Sequence, residues 1–369
     1  MKSTLSIASS RLGETSAGQP VTEYEFRFES GLSISFLNLG GIVSRLSVPA
    51  EDGSLADVVL GFEGLAGYLD NSPYFGAIIG RFGNRIGGDG FRVGDTFYPL
   101  AKNGGKVPEL KRHLHGGQVG LSHRIWDAAV VERDGDWAGL DLEYLSPDGE
   151  EGYPGNLQLK CSYRIREDGV FRIQYYGTTD APTHLNLTHH SYFNLAGHEA
   201  GSILEHEVKI AADGFVVIDE AGIPTGEIRE VEQSPFDFRK AKTVGRDAEV
   251  KDEQLILPKG YDHNFVLGHQ RGKLEFAASA RDPFSGRQME VWTDQPGIQF
   301  YAGNTLETGD IPTKAGRPYE RHDGFCFETQ HFPDSPNRPE FPSTLLQPGQ
   351  TYQTTTEYRF VATEKGSRA

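Results

Sequence analysis

The sequence predicts an all-β fold, a large antiparallel β-sandwich with little helix. Three features predict it. Apolar residues recur at every second position in run after run, the period of a half-buried strand. Turn clusters such as SPDGEEGYPGN and DPFSGR separate these runs. Helical periodicity is rare. Strands at this density suggest sheets packed face to face. Sandwiches often exceed the usual domain size without dividing, so 369 residues fit one such unit.

Taken in chain order, residues 1–18 are expected to be a loose arm. Residues 19–365 are expected to form a single domain, because no linker, internal repeat or low-complexity tract divides them. Tyr24, Phe26 and Phe28 make one alternating face. Leu32, Ile34 and Phe36 make the next, after the break Glu29-Ser30-Gly31. Together they read as a hairpin. DVVLGF reads as a strand, and Phe62 to Leu69 as one short turn of helix. FRIQYYG, EVWTD, GIQFYAGN and GFCFETQ follow as further strands. Beyond the turn signal Pro348-Gly349, Tyr352, Thr354, Thr356, Tyr358 and Phe360 alternate once more, and the tail EKGSRA should fray.

Composition narrows the partners. Hydrophobic residues make up 37% of the chain, which allows a sizeable core. The formal net charge of −16 repels phosphate backbones and anionic bilayers, so neither nucleic acid nor a membrane is expected as a partner. Cys161 and Cys326 lie far apart and form no disulfide framework. The N-terminal residues lack the apolar stretch of a secretory leader, and no run approaches the ~18 apolar residues of a spanning helix. A cytoplasmic protein is expected.

Alternation also assigns faces. In LNLTHHSYF, Leu185, Leu187, His189, Ser191 and Phe193 share one side of an extended strand, and Asn186, Thr188, His190 and Tyr192 the other. The apolar members mark the core side, so His190 points to solvent or a cleft. In GFCFETQ, Phe325 and Phe327 mark the core, with Glu328 opposite beside Cys326 and Gln330. In GIQFYAGN, Ile298 and Phe300 mark the core, with Gln299 and Tyr301 facing away. Such alternation is also what any half-buried strand shows. Sequence distance does not tell which strands are neighbours.

Other groups are less specific. His113 and His115 lie two apart, and His184, His189, His190 and His198 cluster, yet no Cys or carboxylate completes a familiar metal spacing. No metal is expected. Gly116-Gly117 suggests a tight turn beside His115. GRFGNRIGGDGF matches neither nucleotide-binding glycine pattern. Its Asn84 and Arg85 are either donors to a substrate or surface ion-pair members. Asp262, just after Gly260, either accepts hydrogen bonds from a ligand or caps a turn. No G-x-S-x-G elbow is present.

Seven segments, in order from about residue 30 to the C-terminus, resemble the aldose 1-epimerase (galactose mutarotase) family. They are GAIIGRFGNRIGG, LHGGQVGLSHRIWD, DGEEGYPGNL, LNLTHHSYFNLAG, GYDHNFVL, QPGIQFYAGN and GFCFETQHFPDSPNRPEFPSTLLQPG. The resemblance implies a mutarotase-like sandwich with an open sugar cleft and no cofactor, acting as monomer or homodimer. It implies that Glu328 is the general base and His190 the general acid. His115 would bind the sugar near its ring oxygen, and Asn84, Arg85, Asp262 and Gln299 would bind substrate. There are two departures: His189 stands where the family usually has Asn, and Phe82-Gly83 where Val-Ala is usual. By alternation His189 faces away from His190 and should alter packing more than chemistry. Opening an aldose hemiacetal needs a base at the anomeric hydroxyl and an acid at the ring oxygen. The pair's proton affinities are expected to be pushed apart and held by each other's charge. Rival readings are a glycoside hydrolase or lyase, a non-catalytic carbohydrate-binding protein, and an epimerase of a modified or phosphorylated sugar.

Overall fold

The computed structural model describes residues 4–361 except 51, 71–72, 105–111 and 270–271. The tail EKGSRA and the last residues of the expected domain lie outside the described residues. Three antiparallel sheets carry the structure. The central one has nine strands. In spatial order they are Asp127–Asp134, Trp137–Ser146, Leu157–Ile165, Val170–Thr179, Tyr352–Val361, Gln288–Thr293, Glu275–Arg281, Glu207–Ile210 and Lys242–Thr243. The last long strand of the chain is therefore the middle of this sheet. A second sheet runs Leu5–Glu14, Pro20–Phe28, Ser33–Leu37, Val43–Pro49, Leu55–Asp57. A third, which carries the site, runs Pro224–Glu230, Ala212–Ile218, Asp262–Leu267, Gly297–Tyr301, Cys326–Gln330.

One buried cluster joins all three sheets. It includes Phe26, Ile34 and Phe36, then Leu142, Tyr163 and Phe171, then Ile298, Phe300 and Phe327. The Phe36 ring stacks on Tyr163 at 4.8 Å between centroids. The site sheet is also tied to the central sheet by hydrogen bonds. The Tyr358 hydroxyl donates to Phe327 O at 2.9 Å, and the Thr329 and Thr356 hydroxyls bond at 2.6 Å. These residues sit on the core side of Cys326–Gln330, so Glu328 must face the other way.

The expected hairpin is present, with Phe26 opposite Ile34. The short helix is Leu65–Leu69. A second helix, Glu253–Ile256, is too short to show helical periodicity in the sequence; the Asp252 side chain caps it by accepting from Gln254 N–H. The segment expected as a loose arm contains the strand Leu5–Glu14, paired along its length with Pro20–Phe28. Leu5 and Ile7 lean on the core while the other positions stay polar, a pattern too weak for alternation to reveal. DVVLGF is not a regular strand. It is buried on every side, with single bridges from Val59 to Phe193 and from Phe62 to Thr313. LNLTHHSYF likewise has only Thr188–His189 as a strand, paired with Ile78–Ile79.

Replacing Phe36 by Ala should cost about 3–5 kcal/mol of stability, the range for large core aromatics. Phe284, 84% exposed at a turn, should cost under about 0.5 kcal/mol when cut to Ala. Urea unfolding of both variants tests where the core lies; equal losses would contradict this placement.

Candidate active site

Antiparallel register builds the site. Within its sheet, Gln299 lies opposite Glu328, and Asp262 opposite Tyr301. Phe193 and Phe325 exchange both backbone hydrogen bonds, at 2.7 and 3.0 Å. That single bridge lays the two segments side by side, three residues from His190 on one and three from Glu328 on the other. His190 Nε2 is 3.7 Å from Glu328 Oε1, and both side chains are almost fully buried. Alternation had assigned each residue its side, and the bridge supplies their closeness.

A second strand pair delivers the remaining groups. Arg85–Ile86 pairs with His113–Leu114, which puts Arg85 opposite Leu114 and His115 just beyond. His115 N–H donates to Asn84 O at 3.0 Å, and Asn84 N–H donates to His115 Nδ1 at 3.2 Å. Both residues have left-handed backbones, φ 64° and 51°, a conformation retained only where the surroundings over-determine it. Gly116 makes this possible. A Cβ there would meet Gly80 O at 1.8 Å. Gly83 is also required, because its Cβ would press on Thr188 at 2.8 Å; its neighbour Phe82 fills a small cluster with Phe91 and Tyr153.

His190, Glu328, Asn84, Arg85, His115 and Asp262 line a cleft of about 380 Å³. Arg85 Nη2 pairs with Asp262 Oδ2 at 2.9 Å and Nη1 donates to Asn84 Oδ1 at 3.1 Å. Gln299 donates to the other Asp262 oxygen at 2.7 Å. Gln299 is thus a buried support behind Asp262, with its own Oε1 unpartnered. Glu328 Oε2 is unpartnered as well, although buried. The sequence reading did not single out the aromatic wall. Tyr74, Tyr192 and Tyr301 line the cleft, and Tyr192 stacks on His190 at 5.1 Å. Alternation had put Tyr192 and Tyr301 on the correct faces, but Tyr74 carried no such signal. At the mouth are Thr305 and the exposed Glu307.

His189 packs edge-on against Tyr163 and Phe171 and bonds Ser191 at 2.7 Å, on the core side as alternation implied. The other histidines disperse. His113 bonds Tyr153, His184 bonds Thr344 and His198 bonds Tyr319.

The proton affinities differ from expectation. Burial, then the nearby Asp262 charge, pushes Glu328 well above the usual carboxylate range, with Arg85 opposing. Burial lowers His190 to about 4. The dominant cause is therefore loss of water and not the partner's charge. Its effect is to reverse the order the two groups have in water. Burial would also raise Asp262, but Arg85 and Gln299 override it and hold that carboxylate below its usual value. His115 is held neutral by burial and by His190 and Arg85.

His115, His190 and Glu328 offer donor atoms within 4.8 Å of one another, close enough to share a metal ion. The Asn84 contact argues against it. Because Asn84 N–H donates to Nδ1, the neutral His115 ring carries its hydrogen on Nε2. That nitrogen is a donor into the cleft and not a metal ligand.

A family model described as aldose 1-epimerase matches residues 22–359. The galactose mutarotase of Mus musculus is 41% identical over 357 residues, covering 96% of this chain and 99% of that protein. The aldose 1-epimerase of Escherichia coli (strain K12) is 34% identical, covering 95% and 99%. The crystal structure of galactose 1-epimerase from Lactobacillus acidophilus NCFM superposes with a TM-score of 0.83 at 26% identity, covering 97% and 99%.

Nitrogen-15 NMR of the His115 ring should show Nε2 protonated and Nδ1 bare. That pattern should persist below the usual histidine pKa of 6.5, because the folded-state value is depressed. A doubly protonated ring near pH 6 would contradict the tautomer assigned here.

Proposed function

The chain belongs to the aldose 1-epimerase family, and from that premise we propose that it interconverts the α and β anomers of free hexoses such as galactose or glucose through Glu328 and His190. The observation that carries the reading is this buried acid/base pair, 3.7 Å apart on the wall of a sugar-sized cleft. Glu328, as carboxylate, takes the proton of the anomeric hydroxyl. The C1–O1 bond becomes a carbonyl as the C1–O5 bond breaks. His190, as imidazolium, gives its proton to O5. Rotation about C1–C2 then presents the other carbonyl face, and the same two groups reverse their roles. No net proton is gained or lost. His115 donates Nε2–H near the ring oxygen. Asn84, Arg85 and Asp262 take other hydroxyls, with Gln299 fixing Asp262. We propose that no cofactor or metal takes part.

In the empty cleft burial favours the neutral form of the pair, with the shared proton on Glu328. Sugar hydroxyls donating to the open Glu328 oxygen would favour the carboxylate and shift the proton to His190. Both forms contain one proton, so pH does not choose between them.

The rivals fit less well. Asp262 is tied by Arg85 and Gln299, and Glu307 lies exposed at the mouth, which leaves a hydrolase without a buried, unpaired carboxylate to set beside Glu328. Trp126 is buried, Trp137 is covered by Arg172 at 4.2 Å, and Trp292 by Arg359 at 4.2 Å, so none is an open platform for a lectin. Among the described residues lining the cleft the one lysine or arginine is Arg85, tied to Asp262, while Glu307 guards the mouth. A sugar phosphate would meet net negative charge.

Residues 19–365 are proposed as one catalytic domain, to which the strand Leu5–Glu14 also belongs, because a shared core spans its sheets. The groups proposed to act all belong to this chain, and we propose a monomer or a homodimer of such units. No helix of the described residues is long and apolar enough to cross a membrane. Cys161 and Cys326 are free and buried, which supports a cytoplasmic location.

Glu328→Gln should lower kcat by roughly 10²–10⁴-fold with sugar binding retained. Polarimetry of fresh α-D-galactose and α-D-glucose reads the first, calorimetry the second; wild-type rates would remove Glu328 from the mechanism.

The pH profile follows from the two shifts. The one-proton pair gains a second proton below the His190 value of about 4 and loses its last above the raised Glu328 value. Activity, corrected for spontaneous mutarotation, should have its acid limb near 4 and an alkaline limb displaced well above the ordinary glutamate value of 4.5. A narrow bell bounded by the ordinary 4.5 and 6.5 would show that burial does not set these affinities.

A further inference from the structure

We propose that Cys326 is a positioning residue for the reaction, holding the His190 ring through Nδ1 in both of the ring's protonation states. Cys326 Sγ lies 3.6 Å from His190 Nδ1. It is fully buried, two residues before Glu328 on the same face of the same strand. One strand therefore carries the base and the group that steadies the acid. Tyr192, next to the bridged Phe193, stacks on the ring and closes it in from a second side.

The neighbouring rings fix the plane of His190 but not its hydrogens. Tyr192 stacks at 5.1 Å, His115 stands edge-on at 5.1 Å and Tyr74 is at 5.9 Å. A thiol is both a weak donor and a weak acceptor. When His190 is neutral, Nδ1 keeps its hydrogen and donates it to the sulfur, which leaves Nε2 bare to take a proton from Glu328 or from O5. When His190 is an imidazolium, Nδ1–H still donates to the sulfur and the Nε2 proton is the one that moves. The thiol hydrogen points away from the ring in both states. Burial, with the Glu328 and Asp262 charges, keeps it from ionising, so it does not add a third charge to the cleft. A carboxylate in the same place would lock His190 as a cation and oppose the return half of the reaction.

The inference rests on His190 being the acid, and the test separates the two claims. His190→Gln tests the acid by itself; a wild-type rate there overturns the acid reading and this proposal together. With that rate lost, three variants at position 326 decide the rest. Cys326→Ser keeps a donor and acceptor and should hold kcat within about twofold. Cys326→Ala and Cys326→Val offer neither and should lower kcat by about 3–10-fold with KM unchanged, the scale of one modest hydrogen bond. Val guards against a cavity effect, and thermal melting confirms that each variant folds. Nitrogen-15 NMR should show mixed His190 tautomers in Val but one tautomer in wild type and Ser. The proposal fails if Val keeps wild-type kcat and a single tautomer, or if Ser falls as far as Val.

Discussion

Everything at this site depends on keeping two ionisable side chains out of water. An isolated carboxylate or imidazolium is costly to bury, so such groups survive inside a protein as neutral forms or with partners in place. Glu328 and His190 satisfy this by lying 3.7 Å apart, with burial favouring the neutral form of each. Their strands are pinned from behind, Cys326–Gln330 by Tyr358 and Thr356 of the central sheet and the Leu187 amide by the Tyr352 hydroxyl. The floor is rigid because the middle strand of the largest sheet lies under it. Second-layer contacts then fix what each ring nitrogen offers, Asn84 N–H for His115 and Cys326 Sγ for His190. Arg85 and Asp262 neutralise each other a short way off, so the cleft gains dipoles without adding an unpaired charge.

Much of this was legible in the chain. Period-2 alternation places Phe325 and Phe327 in the core, and that alone turns Glu328 to the opposite face. The same rule separates His190 from His189, two adjacent imidazoles with opposite fates. It worked because a strand has only two faces and apolar neighbours occupy one of them. It failed where burial is two-sided. DVVLGF and LNLTHHSYF look like strands because nearly every residue is buried, yet they run between sheets as irregular, singly bridged segments. It failed too for Leu5–Glu14, whose edge pairing rests on backbone hydrogen bonds and asks little of its side chains.

Closeness was not legible. Local pattern carries no information on which strands pair across 138 residues of chain, and the sum of two register constraints, Phe193 with Phe325 and Gln299 with Glu328, is what assembles the pair and its support. The resemblance to a family supplied those neighbours indirectly. It did not supply the cause of the shifted proton affinities. That cause is burial, a property of the packed whole, and it reverses an order that side-chain identity alone would have given the other way.

This reversal suits a reaction that must run equally well in both directions. In water a glutamate beside a histidine forms an ion pair, with the proton settled on the imidazole. A pair so settled gives up that proton reluctantly and takes it back readily. Desolvation raises the glutamate and lowers the histidine, which opposes that settlement of the proton. Proton transfer is fastest when donor and acceptor are nearly matched, because no step then runs far uphill. A mutarotase forms no product more stable than its substrate by a large margin, so a bias in either group would slow one half of every cycle. Burial works against the bias of the ion pair, and sugar hydroxyls on Glu328 would work against that of burial. Asp262 and Arg85, acting in opposite senses on Glu328, adjust what remains.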